Sequence, residues 1–287
     1  MEVIVNMNLL KRMLIIVLTI SLTLLCACQQ KKESLSEIPD ATGQFGFDVL
    51  KVGQADAIIM QSQSQNIIID LGEADDGEEI VNHLVRKNIN TIDYLFITHF
   101  DKDHVGGFPY LAGNVEIKNI IVPDYEGSSD EYYAYCETVK TKKLPVTVLS
   151  KNTSFVFDDV LFEVSVPKKK AYIEGDNDFS LVISATHGEN SFLFTGDAES
   201  ARISELLSEF GKKHDFLKVP HHGKHNKNTK RLINTVKPQY AVICDSEKNP
   251  ASDKTLSILE SAGSEIYCTK NGDVSVVSNG VELIVTQ

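Results

Sequence analysis

The chain has 287 residues, of which 42% are hydrophobic, and carries a formal net charge of −12. This length and apolar content fit one large globular domain or two small ones, and they exclude a mainly disordered chain. The acidic balance argues against nonspecific binding to nucleic acids or other polyanions.

The first elements in chain order are predicted to lie outside the fold. Lys11 and Arg12 precede an apolar run at residues 13–25, which is shorter than the roughly 20 residues that span a bilayer and has the length of a signal-peptide core. The run ends in Leu-Cys-Ala-Cys, which resembles a bacterial lipobox with Cys28 as the lipidated residue. An uncleaved membrane anchor is the alternative.

This interpretation predicts three segments. Residues 1–27 form a lipoprotein signal peptide, residues 28–42 a polar tether, and residues 43–287 a single folded domain. We expect a monomer that the lipid anchor alone holds at the extracytoplasmic face of the cell membrane.

Residues 43–287 show a continuous series of short elements. Alternating or buried apolar runs predict strands, and apolar residues spaced three and four apart predict helices. The strands fall at 45–52, 57–61, 66–70, 91–98, 118–122, 146–149, 154–157, 161–166, 180–185, 191–195, 216–219, 240–244, 265–268, 274–278 and 281–285. The longer helices fall at 76–87, 130–141, 199–210, 227–235 and 252–262. This order predicts an α/β protein with two sheets packed face to face and helices outside, although periodicity alone also fits one open sheet.

Three polar clusters each follow a predicted strand at its carboxyl end, where ligands collect in α/β folds. The first, THFDKDHVGG at residues 98–107, holds four potential metal ligands. Imidazole and carboxylate groups suit zinc and its neighbours, and four such groups this close would repel or strain without a cation. In an extended loop, His99, Asp101 and Asp103 would point one way and His104 another, which suits a second ion.

The other two clusters complete the predicted metal centre. FTGDAE at residues 194–199 contributes Asp197, which we expect to bridge two ions. KVPHHGK at residues 218–224 offers His221 and His222. Only one of these histidines is expected to bind metal, and we favour His221, with His222 lining the site.

These clusters resemble a known family. The first resembles the His-x-His-x-Asp-His motif of the metallo-β-lactamase superfamily, with Asp101 in place of the second histidine. That variant and the motifs at residues 48–57, 177–182, 193–199 and 219–223 resemble the hydrolase domain of ComEC-type DNA-uptake proteins. The resemblance implies the four-layer αβ/βα sandwich of the metallo-β-lactamase fold. It also implies two divalent ions, Zn²⁺ or alternatively Mn²⁺, and hydrolysis by a metal-bound hydroxide that the catalytic residues Asp103 and Asp197 orient. The implied metal ligands are His99, Asp101, Asp103, His104, Asp197 and His221.

Two departures from the family pattern concern histidines. Most members supply a third histidine to the first metal just before the Gly-Asp cluster, but residues 177–180 read Asn-Asp-Phe-Ser here. We therefore expect the first site to hold its metal loosely or to prefer a harder ion such as Mn²⁺. His187 is interpreted as a surface turn residue. The family also often ends a late strand with Gly-His-Pro. The matching residues 248–250 read Lys-Asn-Pro here, so a further histidine of the family pattern is missing.

A basic stretch at residues 218–231 begins with the third cluster and bears on the substrate. It has no acidic residue and contains Lys218, Lys224, Lys227, Lys230 and Arg231. Beside a two-metal centre, such a rim suits a phosphodiester, while a solvated helix face is the alternative. The residues expected to contact substrate are Asn177, Ser180, His222 and Lys224.

Three functions remain open on this evidence. The first is a cell-surface phosphodiesterase or nuclease. The second keeps the hydrolase and changes the bond to a carboxylic ester, a lactone or a β-lactam. The third is a non-catalytic module that captures nucleic acid or another ligand on a hydrolase fold, which the missing histidines favour and the intact ligand clusters oppose.

Overall fold

The computed structural model describes residues 43–287. The predicted signal peptide, the tether and the lipidation site Cys28 lie outside the described residues. No helix of the described part is long and apolar enough to cross a membrane.

The first sheet has eight strands, and its two halves differ in strand direction. Its members are β1 (Phe45–Val49), β2 (Ala57–Gln61), β3 (Asn66–Leu71), β5 (Tyr94–Phe96), β7 (Ile120–Pro123), β8 (Val146–Leu149), β16 (Val274–Ser278) and β17 (Leu283–Thr286). They are ordered β17-β16-β1-β2-β3-β5-β7-β8. Pairing is antiparallel from β17 to β3 and parallel from β3 to β8.

The second sheet repeats this plan with seven strands. Its members are β9 (Thr153–Phe157), β10 (Val160–Ser165), β11 (Val182–His187), β12 (Asn190–Phe194), β13 (Phe216–Lys218), β14 (Tyr240–Ile243) and β15 (Glu265–Cys268). They are ordered β15-β14-β13-β12-β11-β10-β9, parallel from β12 to β15 and antiparallel elsewhere. Two short strands, β4 (Thr91–Ile92) and β6 (Glu116–Ile117), pair apart from both sheets.

The apolar core between the sheets follows from strand alternation. Phe45 and Phe47 of β1 meet Phe192 of β12, with ring centroids 5.6 and 5.5 Å away. In β3, Ile67 and Ile69 join this core, while Ile68 between them packs on the outer face. The two sheets therefore face each other, as the element order predicts.

Helices cover both outer faces. Against the first sheet lie α1 (Gly77–Arg86), α2 (Lys102–Val105), α3 (Phe108–Asn114) and α4 (Asp130–Lys142). Against the second lie α5 (Ser200–Glu209), α6 (Thr229–Val236) and α7 (Asp253–Ser261). On that side Ile203 and Leu206 of α5 share a buried cluster with Leu193 of β12 and Leu217 of β13. The predicted four-layer αβ/βα sandwich is confirmed.

Several predicted strands and helices have slightly different bounds in the structure, and one strand is divided in two. The single strand predicted at 91–98 is divided into β4 and β5, because Asp93 between them turns its carboxylate to the backbone N–H of Asn66, 2.9 Å away. The strand predicted at 180–185 begins at Val182 and runs on to His187.

His187 is consequently no surface turn residue, and that interpretation is wrong. Its side chain is fully buried, its Nδ1 lies 2.7 Å from Ser278 Oγ, and its ring packs against Phe45. The turn begins one position later, at Gly188, whose backbone is left-handed with φ 58°.

Candidate metal centre

The predicted ligands lie at one end of the sandwich, on the segments that leave β5, β12 and β13. The segment after β5 is not the extended loop expected from the sequence, because α2 begins at Lys102. This helical turn brings the side chains of Asp103 and His104 into one group of convergent ligand atoms. The glycines that follow allow α2 to approach the first sheet, since a β-carbon at Gly107 would collide with the carbonyl oxygen of Leu71.

Four side chains converge at this end and form what we call the four-ligand cluster: Asp103, His104, Asp197 and His222. One ligand atom from each lies within 4.8 Å of the others. His104 Nε2 is 3.3 Å from Asp197 Oδ1, and His222 Nε2 is 3.0 Å from Asp197 Oδ2 and 3.2 Å from Asp103 Oδ2. Two imidazoles and two carboxylates at this separation match the ligand set of a divalent zinc or manganese site.

The supporting contacts turn the Nε2 atoms of both histidines toward the cluster. His104 Nδ1 is 2.8 Å from Asp70 Oδ2, and His222 Nδ1 is 3.0 Å from the carbonyl oxygen of Cys244. Such partners fix the tautomer in which Nε2 is free to bind metal. The two Nε2 atoms and Asp197 Oδ1 are buried without a hydrogen bond, so a cation would satisfy groups that the protein leaves unsatisfied.

The electrostatics of the cluster agree with this assignment. Burial alone would raise the pKa of Asp197, but the positive charges of His222, His104 and Lys218 hold it well below its usual range. Burial lowers the pKa of His222, yet the neighbouring Asp197 and Asp103 raise it to about 9. In the metal-free protein, protons on the histidines therefore supply part of the charge that a cation would bring.

His221, the histidine favoured from the sequence, lies outside this cluster. Its Nδ1 donates to Glu199 Oε1 at 2.9 Å, and its Nε2 accepts from Lys224 Nζ at 2.7 Å. Burial lowers the pKa of His221 to about 4, so the ring is neutral at pH 7. Its Nε2 is 3.9 Å from Asp197 Oδ2 and is already engaged by the lysine. The structure brings His222, rather than His221, to the carboxylates.

A left-handed turn explains why His222, and not His221, reaches the four-ligand cluster. His221, His222 and Gly223 have φ values of 49°, 52° and 76°. Such a run is rare for residues with a β-carbon, and a β-carbon at Gly223 itself would lie 2.8 Å from that of Ala251. The turn directs His222 into the cluster and leaves His221 toward Glu199.

His99 and Asp101 lie beside the four-ligand cluster. The His99 ring packs against that of His104 at an angle of 49°, with ring centroids 4.1 Å apart, and its Nε2 is 3.6 Å from Asp101 Oδ2. The side chain of Asp101 is 39% exposed. Within residues 43–287, the groups of three or more convergent ligand atoms are the four-ligand cluster and Asp56, Asp70 and His104. Neither group contains His99 or Asp101.

The residues expected to contact substrate occupy different depths. Lys224 is exposed, and Asn177 is half-buried with its amide nitrogen 3.3 Å from Glu199 Oε1. Ser180 is fully buried. Its hydroxyl donates to the Asn177 carbonyl, accepts from the Asp197 N–H at 3.1 Å, and lies 3.5 Å from His99 Nδ1. This placement makes Ser180 a support for the metal end of the fold.

Sequence reasoning assigned no role in the site to two acidic residues and misplaced one lysine. Asp56 lies within the motif at residues 48–57, and Asp70 is the penultimate residue of β3, with a left-handed φ of 59°. Lys218 is fully buried, which corrects its place in the basic rim. The rim residues that are exposed are Lys224, Lys227, Lys230 and Arg231.

Comparison with known proteins agrees with the fold and the ligand motifs. A family model described as "Metallo-beta-lactamase superfamily" matches residues 50–244. "Recombination protein 2" of Haemophilus influenzae is 28% identical over 218 residues, which cover 74% of this chain and 26% of that protein. "ComE operon protein 3" of Bacillus subtilis is 24% identical over 230 residues, covering 74% and 30%. The chain thus spans less than a third of the length of these relatives.

A solved structure supports the same fold. The metallo-beta-lactamase fold protein YhfI from Bacillus subtilis superimposes with a TM-score of 0.54 at 9% identity, covering 82% of this chain and 99% of that one. At this identity the likeness concerns the fold alone. Together, the matches confirm the ComEC-like branch and the fold class that the motifs indicated.

Proposed function

Because the chain belongs to the metallo-β-lactamase superfamily, we propose that it is a divalent-metal-dependent hydrolase that acts on phosphodiesters at the cell surface. The observation that carries this proposal is the four-ligand cluster, with Nε2 atoms held inward by Asp70 and by the Cys244 carbonyl.

Asp103, His104, Asp197 and His222 would hold the tighter ion, and His99 and Asp101 would help to hold a second, weaker one with Asp197. Such ions lower the pKa of a water molecule and neutralise negative charge that develops on the substrate. Asp103 and Asp197 would orient the attacking water through their remaining oxygen lone pairs. The imidazole and carboxylate donors suit Zn²⁺ or Mn²⁺.

The surroundings of His221 support an anionic substrate. Lys224 is exposed and its Nζ lies 2.7 Å from His221 Nε2, and the exposed residues Lys227, Lys230 and Arg231 follow it in the chain. The amide nitrogen of Asn177 lies 3.4 Å from His221 Nε2, and Glu199 holds the other side of the His221 ring. In an acidic chain, this local excess of positive charge favours a phosphodiester over a neutral ester.

The relatives support nucleic acid as the phosphodiester, since one is named "Recombination protein 2". We propose nucleic acid as the substrate, with Cys28 anchoring the chain to the membrane. Mass spectrometry of the mature N-terminus tests the anchor, and any N-terminal residue other than an acylated Cys28 would contradict it.

A binding module remains the second candidate, because among the described residues His99 and Asp101 belong to neither convergent group of ligand atoms, and the hydroxyl of Ser180 lies 3.5 Å from His99 Nδ1. The full-length chain, purified in detergent, should cleave bis-p-nitrophenyl phosphate and a single-stranded oligonucleotide with Mn²⁺ or Zn²⁺ and not with EDTA. Asp103→Asn serves as the inactive control. Faster cleavage of p-nitrophenyl acetate or nitrocefin would favour the ester or β-lactam alternative. Binding of the oligonucleotide without cleavage would favour the module.

A further inference from the structure

A fully buried lysine lies beneath the four-ligand cluster. Lys218 is among the largest fully buried side chains in the described part of the chain. Its Nζ forms an ion pair with Asp56 Oδ2, donates to the carbonyl oxygen of Gly196 at 3.2 Å, and lies 3.6 Å from Asp197 Oδ1. One ammonium thus contacts a ligand carboxylate, the backbone next to it, and a second buried carboxylate.

Strand alternation places this lysine inside the protein. Phe216 and Lys218 lie on the same face of β13, which points into the core between the sheets, while Leu217 points to the outer helices. The lysine stem therefore extends from the end of the apolar core, and its charged end reaches the base of the site. A lysine buried in this way is retained only where carboxylates repay its loss of hydration.

The charges around it are unbalanced without a cation. Asp56, Asp70 and Asp197 are each at most 2% exposed, and Asp103 adds a fourth carboxylate at the opening. Several buried carboxylates of like charge destabilise one another unless positive charge lies among them. Lys218 supplies that charge at a fixed position, between Asp56 and Asp197.

We propose that Lys218 is a positioning residue of the metal centre, the resident counter-cation that holds Asp56 and Asp197 together in the metal-free protein. This inference rests on the metal centre proposed above and is independent of the substrate. The ammonium keeps the ligands assembled before an ion enters, and it also limits how strongly the site attracts that ion.

Lys218→Met tests the proposal, with Lys224→Met as a matched control that removes an exposed lysine next to the cluster. Thermal unfolding of the full-length chain is followed in EDTA and with Mn²⁺, and Mn²⁺ affinity is measured by titration calorimetry. In EDTA, Lys218→Met should lower Tm by roughly 10 °C, because breaking a buried ion pair leaves a charge uncompensated. Mn²⁺ should restore part of this loss and bind at least about tenfold more tightly, since a nearby positive charge is gone. The control should leave Tm in EDTA unchanged.

A double variant, Asp56→Asn with Lys218→Met, removes one charge of each sign and covers the case in which the single variant does not fold. It should unfold within a few degrees of the wild type in EDTA and bind Mn²⁺ with near wild-type affinity. Three outcomes would each overturn the proposal. Lys218→Met could lose as much Tm with Mn²⁺ as without it, or it could bind Mn²⁺ more weakly than the wild type. The double variant could also be as unstable as the single variant. Failure of the wild type to bind metal would instead refute the proposed centre, and the comparison of Tm in EDTA would still judge the lysine.

Discussion

The proposed metal centre has two halves whose first-sheet ligands lie in one short segment, residues 99–104, and yet the halves differ in completeness. Asp103 and His104 join Asp197 and His222 from the second sheet, and all four ligand atoms converge. His99 and Asp101, a few residues earlier, belong to neither convergent group, and the buried hydroxyl of Ser180 lies 3.5 Å from His99 Nδ1. A ligand motif on one sheet therefore becomes a metal site only where the facing sheet contributes the remaining ligands.

Loss of a carboxylate from the complete half should have the largest effect. Asp103→Ala and Asp197→Ala should each reduce hydrolysis by more than about 100-fold and lower metal content, because each removes one of the two carboxylates that would bind the cation. Metal content is measured by mass spectrometry of the purified protein alongside the rate. Retention of full metal content by Asp197→Ala would show that this carboxylate is not a ligand.

The adjacent histidines give the sharpest test of which residue belongs to the complete half. His222→Ala should lose metal as Asp197→Ala does, while His221→Ala should keep metal and lose mainly rate. The two variants are well matched, since both residues have left-handed backbone with φ of 49° and 52°. The reverse pattern of metal loss would restore His221, the ligand favoured from the sequence.

Changes in the incomplete half should have a smaller effect on metal. His99→Ala should remove only a weakly bound ion and leave the affinity of the tighter site within about threefold of wild type, because Asp103, His104, Asp197 and His222 remain. Titration calorimetry with Mn²⁺ separates the two events. If His99→Ala abolished all binding, the two halves would be one cooperative site.

Lys224 should affect substrate rather than metal. Lys224→Ala should raise KM for an anionic diester roughly twofold to fivefold, since an exposed charge pair contributes about 0.2–1 kcal/mol. It should leave metal content and KM for a neutral ester unchanged. An equal rise in KM for both substrates would assign this lysine to the shape of the site instead of its charge.

His187 is the control for burial without metal binding. His187→Gln should cost about 1–3 kcal/mol of unfolding free energy, because its contact with Ser278 is buried. Metal content should not change, since His187 belongs to neither convergent group of ligand atoms. Denaturant unfolding and metal analysis of the same sample check both statements, and loss of metal on this substitution would reopen the three-histidine pattern.

The order of strands and helices was accessible from sequence because it depends on local periodicity, and the first ligand cluster because it depends on spacing. The four-layer arrangement came from the family resemblance, since periodicity alone also fits one open sheet. Ile67 and Ile69 alternate with Ile68 as a strand packed on both faces requires. The choice between His221 and His222 was not accessible, since it depends on two successive left-handed residues. Lys218 was misplaced because counting charges along the chain ignores the alternation that turns it inward with Phe216. Asp70 gave no signal, because its partner His104 lies 34 residues away in sequence.

The position of β1 has a consequence for how the molecule is made. Phe45 at its start is paired with Ser278, and β1 lies between β2 and β16. One of its two neighbours thus comes from more than 200 residues later in the chain. Contacts of such long sequence separation form slowly, because the chain must close a large loop first. The first sheet stays open at β1 until β16 arrives, so this sheet is completed only after residues 274–278 have been synthesised.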